Sequence, residues 1–305
     1  MLDGKGVLVT GATGRLGRDL CHRLESLGAE VTPVILPGYP LAPRNVPWTA
    51  GAVPVEIEDR SDLEALPVPD DVIHLHWLVD RSRPFAEQIE NEIRWNVTGP
   101  IFLWDWLKDH GVSGFVNVSS IRVFGTRNRN PISAATEPLP STPYGIAKLA
   151  GEAFFGAYFP EATVVTQARL GSVCSHGEHP TQLITQLVAS AEDGARIKVN
   201  AGHEATLLYI DEAVDLLIEM IRRRPGGRHL LVAPPRPITE IAALVERITG
   251  RPLQADQVDL APGTVDPEFV SDLETFHAGW TRRVDLEEAI RRMLADYRKA
   301  SAGSR

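Results

Sequence analysis

The sequence predicts an α/β chain built on a doubly wound parallel sheet, with a smaller lobe toward the C-terminus. Three observations predict it. Short β-rich apolar runs alternate with helical stretches along most of the chain. A glycine-rich turn joins the first strand to the first helix. The 305 residues exceed what an ordinary single domain needs, yet suit a sheet of seven or so strands plus an appended lobe.

The predicted strands run Val7 to Val9, Val31 to Leu36, Val53 to Ile57, Val72 to Leu75, Phe115 to Val118, Val164 to Leu170 and His229 to Val232. Helices are predicted at Arg15 to Leu27, Ser61 to Leu66, Glu87 to His110, Pro143 to Tyr158 and Asp211 to Arg223. Such alternation gives a parallel sheet with helices on both faces. After Leu170 the regularity loosens, with a His- and Gly-rich loop over Gly171 to Pro180, and Pro234 to Tyr297 holds helices at Thr239 to Ile248 and Leu286 to Tyr297. The expected organisation is a dinucleotide-binding domain over 1–170 plus 205–233 and a substrate-binding lobe over 171–204 plus 234–300. The Pro-rich strip Leu36 to Pro47 is a long loop of the kind that often meets a ligand.

Composition narrows the partners. The chain is 43% hydrophobic and 23% charged, with a formal net charge of -9, so it offers no basic stripe for nucleic acid. No apolar run approaches the length of a membrane span. Two cysteines, Cys21 and Cys174, make no disulfide framework. The expectation is a cytoplasmic enzyme whose partner is a small molecule, with no nucleic acid and no membrane.

Gly11, Gly14 and Gly17 stand in the run Val7-Leu-Val-Thr-Gly-Ala-Thr-Gly-Arg-Leu-Gly, between a strand and a helix. Gly11 permits a tight turn, Gly14 lets the backbone approach a pyrophosphate, and Gly17 lets helix and sheet pack closely. With the amides of Thr13, Arg15 and Leu16, the helix start becomes an anion site, which makes the domain a Rossmann-type dinucleotide binder. Arg15 works against the helix dipole unless an anion lies near, and it reads equally as a solvated arginine. The acidic residue that usually ends the second strand of an NAD site is missing, and Arg44 on the next loop is the nearest candidate for a 2′-phosphate. The cofactor is therefore NAD or NADP. Glu56 and Ile57, ending the third strand, are candidates for the adenosine side, though Glu56 reads almost as well as a surface glutamate.

Tyr144 and Lys148 are four apart on a predicted helix, so both side chains share one face. An ammonium beside a phenol favours the phenolate and lowers the tyrosine pKa, which makes the pair a general acid/base. Alone, the spacing reads equally as a solvated helix face.

Taken with Asp71-Val-Ile-His-Leu75, Asn96-Val-x-Gly99, Val118-Ser-Ser-Ile-Arg-Val-Phe-Gly125, Tyr144-Gly-x-Ala-Lys148 and Tyr209-Ile-Asp-Glu-Ala-Val-Asp215, the glycine loop resembles that of the extended short-chain dehydrogenases/reductases, in the NAD-dependent epimerase/dehydratase group. The resemblance implies catalytic roles for Ser120, Tyr144 and Lys148: Ser120 on the reacting oxygen, Tyr144 on the proton, Lys148 also on the nicotinamide ribose. It places Leu75, His76 and Asn96 near the cofactor, Asn96 more as structure than as chemistry. It also implies a homodimer, often through helices such as Glu87 to His110 and Pro143 to Tyr158.

Departures from the family pattern narrow the reaction. Ile121 and Arg122 stand where dehydratases carry an Asp-Glu pair and decarboxylating members a glutamate. Both reactions are disfavoured, leaving ketone reduction, alcohol oxidation or epimerisation. Ser172 and Ala205 replace the asparagine and arginine that grip a nucleotide diphosphate, which weakens a nucleotide-sugar reading. Arg122, Ser172 and His176 are the substrate candidates, with Arg122 reading equally as an outward, solvated side chain. Cys174-Ser-His176-Gly-Glu-His179 invites a metal reading, but a histidine bonding substrate is the better one. His76-Trp77 replaces small residues after the fourth strand, where packing alone would explain Trp77.

Overall fold

A computed structural model describes residues 2–36, 55–126, 130–174, 183–200, 202–258, 268–276 and 285–303. In chain order the elements are β1 (Gly6–Thr10), α1 (Arg15–Ser26), β2 (Glu30–Ile35), β3 (Val55–Glu56), β4 (Asp71–His74), α2 (Phe85–Ile93), α3 (Ile101–His110), β5 (Gly114–Ser120), α4 (Pro143–Tyr158) and β6 (Val164–Leu170). There follow β7 (Ser172–Cys174), α5 (Leu183–Asp193), β8 (Ile197–Asn200), β9 (Glu204–Tyr209), α6 (Ile210–Arg223), β10 (Gly227–Leu231), β11 (Pro235–Pro237), α7 (Ile238–Thr249), β12 (Ala255–Val258), α8 (Leu273–Phe276) and α9 (Leu286–Gly303). They fall into two compact units, Met1–Leu170 with Val214–Leu231, and Gly171–Ala213 with Val232–Arg305.

The first unit is a seven-stranded sheet in the order β10-β6-β5-β4-β1-β2-β3, every pair parallel. The chain runs outward from β1 to β3 and then restarts at β4 on the other side. That reversal opens a crevice beyond the carboxyl ends of β1 and β4, the place where open α/β sheets take ligands. The strands read as continuous apolar runs because both faces are covered: β4 is buried at all four positions. An aromatic layer of Trp104, Phe115, Phe155 and Phe159 packs on one face, with edge-on and tilted rings 4.6 to 5.8 Å apart. Asp71 takes a two-pronged ion pair from Arg224 at 2.8 Å, tying β4 to the end of α6.

The single helix expected over 87–110 is two helices. Between α2 and α3 the backbone widens into a π turn at Arg94–Thr98, closed by Gly99 N–H donating to Arg94 O at 2.6 Å. Pro100 then lacks the N–H that would continue the ladder, so α3 starts afresh. Ser61 to Leu66 forms a 3₁₀ turn, Arg60–Ala65, rather than an α-helix.

The second unit carries a three-stranded sheet in the order β11-β9-β7 and a parallel pair, β12 with β8. Residues 205–213 lie here and not with the large sheet, because β9 pairs with β7 and β11. Tyr209 at its end faces the Arg292 guanidinium of α9, 5.7 Å from the ring centre. Among the described residues no helix is long and apolar enough to cross a membrane.

Candidate active site

The crevice is built first by the glycine loop. Gly11 turns the chain out of β1 with φ +69°, and a Cβ there would lie 2.7 Å from the His76 amide nitrogen. Thr10 fixes the same junction, its hydroxyl bonded to His74 Nδ1 at 2.7 Å and accepting from His76 N–H at 3.2 Å. A Cβ on Gly17 would lie 2.8 Å from Ala12 Cα, and closer still to the Gly11 carbonyl oxygen. The loop is thus held against β4 with no room for side chains.

Helix α1 begins at Arg15 with Gly14 as an extended N-cap, with no side-chain cap and no acidic residue in the first turn. Its first turn presents backbone amides and partial positive charge, which favour an anion. Gly11, Thr13, Gly14, Arg15, Leu16 and Gly17 therefore fit a dinucleotide pyrophosphate. Glu56 is exposed at the end of β3, while Ile57 is buried and donates its N–H to Ile35 O. Ile57 can meet a cofactor only through its backbone. Leu75 is half-buried above β4, its N–H on Thr10 O at 3.3 Å.

Ser120, Tyr144 and Lys148 come together at the carboxyl end of β5. Ser120 ends that strand and caps the 3₁₀ turn Ile121–Phe124, accepting from Arg122 N–H at 3.2 Å. Helix α4 opens with Thr142 as its cap, accepting from Gly145 N–H at 3.1 Å, and with proline at its first position. A Cβ on Gly145 would run into the Arg122 carbonyl oxygen, so the two turns touch at backbone. This contact sets Ser120 near Tyr144, where the serine works to lower the phenol's pKa.

The electrostatics differ from the sequence expectation. Burial, with the negative charge of Glu92 adding to it, pushes the Tyr144 phenol up to about 12, against lowering effects of Ser120, Arg122 and Arg81. Burial also brings the Lys148 ammonium down to about 7, opposed by the carboxylates of Glu92 and Glu152. Desolvation outweighs charge here. Lys148 Nζ donates to Val118 O at 2.7 Å and lies 3.7 Å above the centre of the Trp77 ring.

Asn96 sits in the π turn, fully buried. Its Oδ1 accepts from Leu78 N–H at 2.5 Å, and its amide donates to Leu78 O at 2.9 Å and Glu92 O at 2.7 Å. With both amide hydrogens committed, it serves the site as a clamp on the loop after β4 rather than as a cofactor ligand. His76 is buried in that loop, its pKa lowered to about 4 by burial and by Lys148.

Arg122 is exposed. Ser172 is exposed on β7, in the second unit. His176, with Arg44, lies outside the described residues. Two residues escaped sequence reasoning: Trp77, read as packing, and Glu92. Glu92 carried one signal, since it stands four residues before Asn96 and so shares its inward face.

A model of the NAD dependent epimerase/dehydratase family matches residues 7–233. A UDP-glucose 4-epimerase from Streptomyces lividans is 26% identical over 275 residues, 81% of this chain and 82% of that protein. An uncharacterized protein, y4nG, from Sinorhizobium fredii is 34% identical over 152 residues, and this chain covers only 36% of its length. In structure, the UDP-glucose 4-epimerase of Thermotoga maritima, solved with UDP-glucose, superposes with a TM-score of 0.79 at 19% identity, over 97% of this chain and 99% of that one. That likeness concerns the fold. Sheet order, glycine loop and family match agree: the chain belongs to the NAD dependent epimerase/dehydratase family, enzymes of the extended short-chain dehydrogenase/reductase type that use NAD(P).

Proposed function

We propose that this enzyme is a ketoreductase or epimerase that moves a hydride between NAD(P) and a hydroxyl- or carbonyl-bearing carbon of a sugar or other small polar molecule. The observation that carries the reading is the convergence of Ser120, at the end of β5, with Tyr144 and Lys148 on α4, where Lys148 Nζ donates to Val118 O of that same strand, in the same unit as a glycine-loop helix with no side-chain cap. The nicotinamide ring, when bound, supplies or accepts the hydride. The chain's residues handle the proton. In reduction the Tyr144 phenol gives its proton to the substrate oxygen, which Ser120 holds by a hydrogen bond; in oxidation the proton returns along the same path. Lys148 favours the phenolate whenever it is charged.

Glycine 11, 14 and 17 and the amides of Thr13, Arg15 and Leu16 would hold the pyrophosphate, with Glu56, Ile57, Leu75 and His76 along the rest of the cofactor. Ile121 and Arg122 offer no carboxylate, which argues against elimination or decarboxylation at this site. A nucleotide-sugar 4-epimerase is the second reading, favoured by the Streptomyces lividans relative and weakened by Ser172 and Ala205. The reading includes a homodimer through α2, α3 and α4, as the resemblance implies.

The test is Tyr144→Phe. It should lower kcat by at least about a hundredfold, as for loss of a general acid, while NADH binding stays within a few-fold of wild type. UDP-glucose and a panel of small ketones and sugars separate the outcomes: net NADH consumption marks a reductase, and epimerisation without consumption marks the second reading. A fully active Tyr144→Phe enzyme refutes the mechanism.

A further inference from the structure

Lys148 is held in an unusual way. An ammonium has three donors and no acceptor. One goes to Val118 O, and a second face rests on the Trp77 ring, 3.7 Å from its centre. This leaves one N–H for the phenol or for a cofactor hydroxyl. The indole is itself fixed: its Nε1–H donates to Glu92 Oε2 at 3.0 Å, and its ring meets Tyr144 edge-on at 6.3 Å. Gly151 makes the space, since a Cβ there would lie 3.4 Å from Trp77 Cη2.

Glu92 needs a reason to be where it is. Its side chain is fully buried, and Oε1 makes no hydrogen bond among the described residues. A buried carboxylate with one donor is costly unless a positive charge offsets it. The larger such charge is Lys148, across the indole, and Arg81 adds to it. A carboxylate on the indole N–H also enriches the ring face in electron density, which strengthens its hold on a cation.

We propose that Trp77 and Glu92 are positioning residues that keep Lys148 in its ammonium form and aimed at Tyr144, a role resting on the acid/base reading of that pair. The groups facing Lys148 are Glu92 from α2, Tyr144 and Glu152 from α4, and His74 and His76 from β4 and the loop after it. Burial pulls the ammonium down to about 7, the two histidines are held neutral, and the carboxylates and the ring oppose the burial. Removing either clamp member lets burial win.

The chain has five lysines, so a carbon-13 NMR titration of its labelled lysine side chains can follow Lys148 directly, with Lys148→Arg assigning the signal. The Lys148 midpoint should fall by about one pH unit in Trp77→Leu and in Glu92→Gln, the size expected of a desolvated cation–π contact. It should fall by less in Trp77→Phe, which keeps a ring face but loses the indole N–H, and which also controls for folding. An unmoved midpoint in Glu92→Gln or in Trp77→Leu overturns the clamp. This readout needs no substrate. A fully active Tyr144→Phe enzyme with shifted Lys148 midpoints would sink the catalytic reading and leave the clamp standing, and the converse result would do the reverse.

Discussion

Gly17→Ala isolates the role of the glycine loop, because the added methyl group can be placed from the structure. It would lie 2.8 Å from Ala12 Cα and 2.9 Å from Ala12 O, and nearer still to the Gly11 carbonyl oxygen. All three atoms are backbone, so no rotamer relieves the clash and the loop must move away from α1. Overpacking of this kind costs about 1–3 kcal/mol. The displaced atoms belong to the turn that would cradle the pyrophosphate, so the loss should appear in binding as well as in stability. The expectation is at least about tenfold weaker binding of NADH and NADPH, near 1.4 kcal/mol, with a lower urea midpoint. Fluorescence titration and urea unfolding read the two separately. Gly156→Ala is the control: that glycine is in α4 with nothing within 4 Å of an added Cβ, and the change should raise stability by roughly 0.5–1 kcal/mol without touching affinity. Unchanged cofactor affinity in Gly17→Ala would refute the assignment of this loop to the cofactor.

Three further outcomes follow from buried charge. His76 has a folded pKa near 4 against about 6.5 unfolded, so below 6.5 the unfolded chain binds a proton the folded one refuses; stability should fall by about 2–4 kcal/mol between pH 6.5 and 4, with His74 adding in the same direction, and less so in His76→Leu, as urea unfolding across that range would show. Glu152 accepts from Ser119 Oγ at 2.6 Å and from Arg169 at 2.9 and 2.7 Å, all buried. Glu152→Leu should therefore cost about 3–5 kcal/mol by stranding the Arg169 guanidinium, and adding Arg169→Met should recover much of it. Lys148→Met should abolish turnover yet raise the urea midpoint at pH 7, because an amine held near 7 opposes folding until pH rises past its unfolded value of about 10.4.

The parts of this molecule legible in its sequence are those whose cause is local. Gly11, Gly14 and Gly17 declare a turn and a close approach wherever they occur between strand and helix, and the apolar runs of β1, β4 and β5 declare strands buried on both faces. Tyr144 and Lys148 declare a shared helix face. The helix break at Gly99-Pro100 is also written locally, in a glycine and a proline side by side within the helix expected over Glu87 to His110. What stayed hidden depends on distance along the chain. Trp77 gains its meaning from Glu92 and Lys148, on two different helices, and the direction of the Tyr144 pKa depends on burial, which no spacing reveals. In the second unit, β7 and β11 are three residues long, too short for any periodicity, so the partner of β9 could not be read.

The π turn between α2 and α3 has one more consequence, which concerns helical phase. In an unbroken α-helix each residue turns about 100°, so positions 92, 96, 103 and 107 would fall on a single stripe. That stripe would have to be polar toward Trp77 and Leu78 and apolar toward the aromatic layer, on the same face. The widened turn and the restart after Pro100 rotate the second helix relative to the first, so Glu92 and Asn96 serve the loop after β4 while Leu103, Trp104 and Leu107 join the core. Deleting a single residue here, Thr98 for instance, would therefore do more than shorten the segment. It would swing one of the two chemistries out of place, and the carboxylate beneath the indole or the tryptophan beneath the sheet would face the wrong neighbour.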